Sequence, residues 1–480
     1  MSPMGSSESH ANKWAVLAIC CSSLLIVAMD STAVNVALPS IHQAFGTSVS
    51  TLQWTIDGYT LAIASFLMLG GSTADRIGRR RVFQIGLTIF GLASLSCSLT
   101  PDIHLLILAR VVQGLGGSMM NPVAMSIITN VFSDRRERAQ AIGIWGATSG
   151  AAMALGPMLG GWLTESVSWR AIFWINVPIA VAAIVLTQLF VPESRAARPR
   201  RIDPPGQALM IVLLVSLVYA LIEAPGRGWT SPLILALLAV ALVAALLFVA
   251  VESRVAEPLL DVRFFRSVSF ASAAVTAILA FAAFGSFLFV NTLYLQDVRG
   301  LSPFDAGAWM LPMAVVSMVF SVSSGRLVSR FGTLPSLVLS GMTLAASGCM
   351  LAFLRADTPV WYLMLAYVLF GLGSGAVNAP ITTNAVSGMP LSQAGVAAAV
   401  ASTSRQTGTT VGVACAGTLT GAGAGMIGAS FAASTHPLWW VIVGAGAAIA
   451  LTGVLVSSPW ARRSTDRVRH LLEEPAHAQA

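Results

Sequence analysis

The sequence predicts an all-α integral membrane protein with about 14 transmembrane helices. Of its 480 residues, 56% are hydrophobic and only 10% are charged, and the mean hydropathy is +0.78. A soluble globule of this size needs more polar surface than that composition supplies. The apolar runs continue for about 20 residues or more, which favours membrane helices over the short alternating segments of an outer-membrane barrel.

Each long apolar run predicts one membrane-spanning helix. Residues 1–13 are polar, and the first run contains Asp30, so we expect an uncleaved first span rather than a signal peptide. Charged, proline-containing linkers flank the seventh and eighth runs. The predicted spans are 14–38, 53–71, 82–100, 104–124, 139–163, 171–191, 207–223, 232–251, 268–290, 305–327, 334–354, 360–382, 394–418 and 437–458.

Weak internal repetition predicts how these spans are organised. Residues 71–78 are echoed by residues 325–332, and Gly114-Leu115-Gly116 is echoed by Gly371-Leu372-Gly373, at nearly equal offsets. Such a duplication predicts two pseudo-symmetric six-helix bundles. The predicted domains are an N-tail at 1–13, a bundle at 14–193, a linker with two inserted helices at 194–266, a second bundle at 267–458 and a C-tail at 459–480.

Basic residues predict the orientation. An even number of spans places both termini on one side, and most of the 27 Lys and Arg residues lie in loops on that side. The four loop arginines on the opposite side are Arg170, Arg227, Arg299 and Arg355. The positive-inside rule therefore places both termini in the cytoplasm, and the net charge of +7 reflects topology without a nucleic-acid partner. The excess of Arg over Lys fits a GC-rich bacterial genome, so we expect a bacterial cytoplasmic (inner) membrane.

Several classes of function are excluded by what the sequence lacks. Lys13 is the only lysine and precedes the first span, so the chain has no Walker A loop and no ATPase of its own. The five cysteines lie in or beside apolar runs, and we expect neither a disulfide framework nor a metal site. With no nucleophile–base pair or metal cluster in the sequence, we expect no enzyme activity and no cofactor.

Two acids, Asp30 and Asp57, fall within the first two spans. A carboxylate at that depth costs about 2.5–3.5 kcal/mol on insertion scales, and such acids are usually functional. We expect both to take part in proton coupling and in binding a cation, with Trp54 adding an aromatic surface one helical turn from Asp57. The alternative is structural pairing, for Asp30 with Arg110.

Further polar residues share faces of the fourth and thirteenth spans. Arg110, Gln113 and Asn121 lie on one face of the fourth span, where the arginine can hold a neighbouring aspartate ionised or act as a static anchor. Arg405, near the middle of the membrane, can steer an anion or pair with a carboxylate, and structural pairing stays open. The predicted substrate-binding residues are Asp30, Trp54, Asp57, Gln113, Asn121, Asn291, Asn378 and Arg405.

Small and charged residues predict a gate. The fifth span carries glycines and other small residues at spacings of three and four, which permit close packing and sliding, although a generic packing face explains them equally well. The acidic and basic residues after the second span are a topology signal, and their spacing also suits a lock between conformations. The expected gating residues are Gly71, Asp75, Arg76, Gly78, Arg79, Gly150, Gly156, Pro157, Gly160 and Gly161.

These patterns together resemble a known family. The run from Gly70 to Arg81 resembles the loop 2–3 signature of the major facilitator superfamily. Asp30 in residues 29–39, Arg110-x-x-Gln113-Gly114 and Gly156-Pro157-x-x-Gly160-Gly161 resemble the signatures of its drug:proton antiporters. Fourteen spans with Arg405-Gln406-x-Gly408 look like its fourteen-helix branch of drug exporters.

The resemblance implies a proton-coupled exporter of hydrophobic, cationic drugs, antiseptics or antibiotics that alternates access between two bundles. Its partners would be a small amphiphilic substrate, protons and the lipid bilayer, and it would work as a monomer. Two alternatives stay open at this point. One is a proton-coupled importer of a small nutrient, and the other is a non-transporting membrane sensor.

Overall fold

The computed structural model describes residues 4–196, 202–255, 257–420 and 430–477, and these residues are almost entirely helical. The α-helices are α1 (Met4–Phe45), α2 (Val49–Ile77), α3 (Arg79–Leu99), α4 (Ile103–Val131), α5 (Arg135–Ser166), α6 (Ala171–Trp174), α7 (Asn176–Phe190), α8 (Pro204–Arg227), α9 (Pro232–Glu252), α10 (Val268–Leu293), α11 (Pro303–Trp309), α12 (Leu311–Phe331), α13 (Thr333–Leu351), α14 (Val360–Ala376), α15 (Asn378–Val386), α16 (Leu391–Thr420), α17 (Phe431–Ser434), α18 (His436–Val456) and α19 (Pro459–His477).

The predicted all-helical membrane class is confirmed. Every predicted span falls on one helix or on two successive helices, and 12 segments among the described residues are long and apolar enough to cross a membrane. Helices α2 and α16 are not among the 12 because they carry more polar and small residues. The total of 14 spans therefore stays a prediction.

Apolar side chains on the outer faces of the helices agree with a lipid environment. Helix α9 has the highest mean hydropathy of the 12 candidate segments, and Leu235, Leu242 and Leu246 along it are all exposed. Contiguous exposed apolar surface of this kind is unfavourable in water and is expected against lipid.

Three predicted single spans, 171–191, 305–327 and 360–382, each fall on two successive helices. Two of these divisions come just before Asn176 and Asn378, where α7 and α15 begin, and the intervening residues Ile175 and Val377 keep α-region dihedrals. A proline, Pro178 or Pro380, stands two residues after each asparagine. Because proline has no N–H to donate to the preceding turn, one backbone hydrogen bond of the helix is missing there.

The chain forms two compact units. The first comprises Met1–Gly46, Gly58–Ile202 and Pro303–Gly307, and the second comprises Thr47–Asp57, Asp203–Ser302 and Ala308–Ala480. Buried aromatic residues of α3 and other helices fill the core of the first unit. The bundle boundaries that the repeats suggest stay a prediction.

An aromatic cluster centred on Phe287 occupies the core of the second unit. Its ring stacks on Phe370 with centroids 4.1 Å apart, and it meets the edges of Tyr367 and Trp439. Asn291 lies beside this cluster, fully buried, and accepts a hydrogen bond of 2.7 Å from the Tyr367 hydroxyl.

The repeated glycine pairs make matching contacts within each unit. An added Cβ on Gly114 would overlap a backbone oxygen of α2, and one on Gly116 would lie 2.6 Å from a backbone nitrogen of α3. In the second unit, a Cβ on Gly371 would overlap a backbone oxygen of α12, and one on Gly373 would lie 2.6 Å from a side chain of α13. The predicted duplication itself stays a prediction.

The inserted helices α8 and α9 pack on each other and meet at a pair of buried acids. Asp203 caps α8 by accepting a hydrogen bond of 3.0 Å from the Gly206 amide. Glu252 at the end of α9 accepts one of 2.9 Å from the Leu260 amide, and an added Cβ on Gly206 would overlap its Oε1. The missing side chain of Gly206 therefore lets both carboxyl groups approach the same turn.

The segment expected as a hydrophilic C-tail contains a helix, α19, through His477. Ser464 Oγ on α19 accepts a hydrogen bond of 3.0 Å from the Val268 amide, and the Thr465 hydroxyl lies 3.2 Å from that of Ser267. These bonds cap the beginning of α10, where the first amides of a helix have no partner within the helix.

Candidate functional site

A buried ion pair joins α1 to α4 within the first unit. An Arg110 Nη1 hydrogen bond to Asp30 Oδ2 forms the pair, and the two side chains are 1% and 0% exposed. The second carboxylate oxygen of Asp30 accepts hydrogen bonds from Gln113 Nε2 at 3.0 Å and from Asn176 Nδ2 at 3.1 Å. Two helices, α4 and α7, therefore supply donors to one carboxylate of α1.

The Arg110 guanidinium is held on its other sides as well. It donates to Gln113 Oε1 at 2.7 Å, and its central carbon lies 4.1 Å from the centroid of the Tyr59 ring and 5.5 Å from that of Phe173. Aromatic faces stabilise a desolvated cation. Removal of either charge of such a buried pair leaves the other uncompensated, at a cost of about 3–5 kcal/mol.

Helix α5 approaches α1 closely at the residues just after Asp30. An added Cβ on Gly156 would overlap Thr32 Oγ1, and one on Gly160 would lie 2.7 Å from the Ala33 carbonyl oxygen. By contrast, a Cβ on Gly143 would meet nothing within 4 Å. The close approach of α5 to α1 thus occurs at Gly156 and Gly160, and not at Gly143.

The rest of the fifth-span signature packs on residues 303–307 of the same unit. An added Cβ on Gly161 would overlap the Pro303 carbonyl oxygen, and one on Gly307 would overlap that of Pro157. Gly150, also expected to act in gating, lies within α5.

The loop between α2 and α3 is fastened by a second set of polar contacts. Asp75 pairs with Arg79 at 3.0 Å, and the backbone oxygen of Asp75 accepts a hydrogen bond of 3.1 Å from the Ala196 amide. Gly78 turns the chain with a φ of 124°, which L side chains rarely adopt, while Gly71 stays within α2. Arg76, also expected to act in gating, has an exposed side chain, and its gating role stays a prediction.

Glu193 completes this arrangement. One of its carboxylate oxygens accepts a hydrogen bond of 3.1 Å from the Arg80 amide, and the other lies 3.7 Å from Arg81 Nε. An added Cβ on Gly78 would lie 2.7 Å from the Glu193 carboxyl carbon. Glu193, in the segment that follows α7, therefore contacts the loop between α2 and α3 at Gly78.

Asp57 and Trp54 belong to the second unit, so the structure assigns the two predicted acids to different units. Asp57 is fully buried, and its carboxyl group is near enough to the Cys415 thiol of α16 to interact with it electrostatically. Trp54 Nε1 is 3.4 Å from Glu223 Oε1 on α8, and its ring lies 5.5 Å from that of Tyr219. The aromatic surface beside Asp57 thus includes a ring from an inserted helix.

Arg405 interacts with neutral groups. Its Nη2 donates to Thr382 Oγ1 at 2.7 Å and to the Asn378 carbonyl at 3.3 Å, and Phe281 covers the guanidinium with its ring centroid 5.9 Å away. Its Nε is buried without a hydrogen-bond partner among the described residues. The pairing of Arg405 with a carboxylate is therefore not observed in that part of the chain.

The predicted asparagines differ in their surroundings. Asn121 has a buried Oδ1 without a hydrogen-bond partner among the described residues, and Asn378 uses its side-chain amide to bond the Ser374 carbonyl at 3.0 Å. Asn291 is part of the second unit's core, where both ends of its amide are bonded. The role of Asn291 in substrate binding stays a prediction, because both ends of its amide are occupied by protein groups in this structure.

Sequence reasoning missed several members of these networks. Asn176 and Tyr59 contact the ion pair, Ser94 accepts a hydrogen bond of 2.7 Å from Gln113, and Glu193 and Glu223 pair with groups of other segments. The one signal for Asn176 is an amide two residues before a proline inside an apolar run.

Comparison with known proteins identifies relatives along most of the chain. The sequence profile of the Major Facilitator Superfamily matches residues 20–413. The chain is 36% identical to the multidrug resistance protein Stp of Mycobacterium tuberculosis over 82% of this chain and 74% of that protein. It is 38% identical to the puromycin resistance protein pur8 of Streptomyces alboniger, over 85% and 82%, and 33% identical to the methylenomycin A resistance protein of Bacillus subtilis, over 88% and 93%.

Solved structures share the fold. A bacterial homologue of the human drug peptide transporters PepT1 and PepT2 superposes with a TM-score of 0.64 at 13% identity, covering 94% of this chain and 99% of that one. A bacterial homologue of the human lysosomal transporter Spinster gives a TM-score of 0.60 at 16% identity, over 95% and 97%. At these identities the likeness concerns the fold alone.

Proposed function

Because the chain belongs to the Major Facilitator Superfamily and its relatives are drug and antibiotic efflux proteins, we propose that it exports hydrophobic cations in exchange for protons. The family resemblance and the function of drug efflux are confirmed by these comparisons. Proton coupling, alternating access and the positive charge of the substrate are the parts proposed here. The importer and sensor alternatives lose support because the relatives are named for resistance and export.

The observation that carries the proposal is the buried Arg110–Asp30 pair. A proton on Asp30 cancels its charge and leaves the buried Arg110 cation without its counter-ion. The energy at stake, about 3–5 kcal/mol, changes the ratio of two conformations by roughly a hundredfold to a few thousandfold. Protonation of this single carboxylate therefore biases the contacts that join α1, α4 and α7.

The proton gradient supplies enough energy for concentrative export. At a membrane potential of about 150 mV, one inward proton carries about 3.5 kcal/mol, which supports a gradient of a few hundred-fold if one net charge moves. An equal exchange of one monovalent cation for one proton moves no net charge and draws on the pH difference alone. A second acid, Asp57, would permit a larger stoichiometry.

Conformational change requires helices that can shift without breaking their packing. The backbone contacts of Gly156 and Gly160 with α1 support a role of α5 in moving the segment that carries Asp30. The Asp75–Arg79 pair and Glu193 support a second control point at the loop after α2. We assign these residues to gating.

The test of proton coupling is the substitution Asp30→Asn. In proteoliposomes with an imposed pH gradient, the wild type should accumulate ethidium, and Asp30→Asn should lose pH-driven transport while it elutes as a monodisperse protein. The control is Asp357→Asn, which removes an exposed acid in a loop and should transport normally. Wild-type transport by Asp30→Asn would refute the coupling role of Asp30.

A second candidate substrate class is favoured by Arg405. Its buried Nε donor and its lack of an acidic partner among the described residues suit the carboxylate of an acidic drug. Substitution Arg405→Gln should then reduce transport of an anionic dye and spare ethidium. The opposite preference, or equal loss of both, would assign Arg405 a structural role.

We further propose a monomer in the bacterial cytoplasmic membrane with both termini in the cytoplasm. The distribution of basic residues supports this orientation. Fluorescent-protein and alkaline-phosphatase fusions at the C-terminus test it, because the first reporter is active only in the cytoplasm and the second only outside. Sedimentation in detergent tests the monomer.

A further inference from the structure

Helix α8 is bonded to α16 within the second unit. The Thr418 hydroxyl of α16 donates a hydrogen bond of 2.6 Å to the backbone oxygen of Leu221 on α8. Within the same unit, Gln53 Nε2 on α2 donates to the Val413 carbonyl of α16 at 2.6 Å. Helix α16 is therefore hydrogen-bonded both to α8 and to the first turns of α2.

Three side chains from α2 and α8 meet beside this attachment. The Trp54 indole lies 5.5 Å from the Tyr219 ring at a tilt of 55°, and its Nε1 is 3.4 Å from Glu223 Oε1. Tyr219 and Glu223 are four residues apart and hence on one face of α8. All three side chains are partly exposed, so the cluster is open to a ligand.

The remaining oxygen of Glu223 is occupied by a side chain that can leave. Arg227 Nε donates to Glu223 Oε2 at 3.1 Å, and the Arg227 side chain is 51% exposed. Exposed pairs of this kind contribute about 0–1 kcal/mol, because solvent screens them and holding two long side chains costs entropy. A cation that brings additional aromatic contacts can therefore displace Arg227 from Glu223.

We propose that Trp54, Tyr219 and Glu223 form a binding subsite for a planar hydrophobic cation and that Arg227 fills it in the absence of ligand. Two aromatic faces and one carboxylate are the chemistry that recognises organic cations. Trp54 lies three residues before Asp57, which is about 4.5 Å along α2. The subsite is therefore next to the buried acid Asp57. The inserted helices thus contribute directly to substrate selection.

This inference rests on the proposed export of cations, and it is tested separately by binding. The full-length protein in detergent is titrated against ethidium, a planar cation, and against Nile red, a neutral dye, by fluorescence anisotropy. Glu223→Gln keeps an oxygen for the Trp54 indole and removes the charge. It should raise the Kd for ethidium about tenfold, as expected for one partly desolvated charge and its aromatic partners, and leave the Kd for Nile red unchanged.

Two further variants on the same face of α8 serve as matched comparisons. Arg227→Gln removes the competing cation and should leave ethidium affinity unchanged or increase it. Tyr219→Phe should bind as the wild type does, and Tyr219→Ala should weaken ethidium binding several-fold because it removes one aromatic face. Equal weakening by Glu223→Gln and Arg227→Gln would overturn the proposal, because it would show that the ion pair is structural.

Unchanged ethidium affinity in Glu223→Gln would also overturn the subsite. This result would not affect the proposal of proton-coupled export, provided that the wild type still transports ethidium when a pH gradient is imposed. Conversely, selective loss of ethidium binding in Glu223→Gln would support the subsite even if Asp30→Asn transported normally. The two proposals therefore fail through different measurements.

Discussion

Asn176 donates its side-chain amide to Asp30 at 3.1 Å, on the same carboxylate oxygen that Gln113 uses. This bond ties the beginning of α7 to the middle of α1. Asn176 is the first residue of α7 and is fully buried.

The first prediction concerns this bond. Asn176→Ala removes a donor to a buried carboxylate, and hydrogen bonds to charged groups contribute about 1.5–3 kcal/mol. We expect the free energy of unfolding in mixed micelles to fall by that amount and ethidium transport to slow at least several-fold. Gln188→Ala, at an exposed position of the same helix, should change neither. A silent Asn176→Ala would mean that Arg110 and Gln113 alone hold the acid.

The second prediction separates stability from coupling. Arg110→Met leaves the Asp30 charge buried and should destabilise the protein by about 3–5 kcal/mol. The double variant Asp30→Asn with Arg110→Met removes both charges, so it should regain most of that loss and still lack pH-driven transport. Thermal unfolding and proteoliposome transport measure the two effects. Recovery of transport in the double variant would show that the pair serves stability alone.

The third prediction uses two glycines of α5. Gly160→Ala places a Cβ 2.7 Å from the Ala33 carbonyl oxygen and must push α5 away from α1, at about 1–3 kcal/mol. Gly146→Ala meets nothing within 4 Å and should be neutral or slightly stabilising, since alanine favours the helix by up to about 1 kcal/mol. Unfolding midpoints of the two variants test this contrast. Equal midpoints would argue against close packing beside Asp30.

The fourth prediction concerns the loop after α2. Asp75 and Arg79 are both partly exposed, so their pair contributes at most about 1 kcal/mol to stability. Asp75→Asn should therefore leave the unfolding midpoint nearly unchanged while it slows the maximal rate of ethidium transport several-fold. Asp357→Asn, which removes an exposed loop acid of the second unit, should transport normally. If both variants transport like the wild type, the loop has no gating role.

Much of this organisation follows from elementary constraints on the sequence. A membrane cannot hold an isolated charge, so an acid and an arginine in separate apolar spans predict a pair, and Asp30 and Arg110 form one. Likewise the glycine of the loop after α2 predicts a turn, and Gly78 has the positive φ that only glycine adopts readily.

Other contacts could not be predicted, because they involve uncharged side chains or residues that lie far apart in the sequence. Asn176 is an uncharged amide inside an apolar run, and a pattern of hydrophobicity does not indicate that it meets an acid of another helix. The contact of Glu223 with Trp54 joins residues 169 positions apart, and nothing in either local segment indicates that they meet. The helix after Pro459 was hidden by its polar composition, which is also typical of an unstructured tail.

That last helix has a practical consequence for handling the protein. Ser464 and Thr465 hold the beginning of α10, so a truncation before Pro459 would strip the Val268 amide of its acceptor and uncap a core helix of the second unit. Purification tags and reporters are therefore best placed on the C-terminal side of α19, and protease cleavage within this helix should be monitored as a source of inactive material.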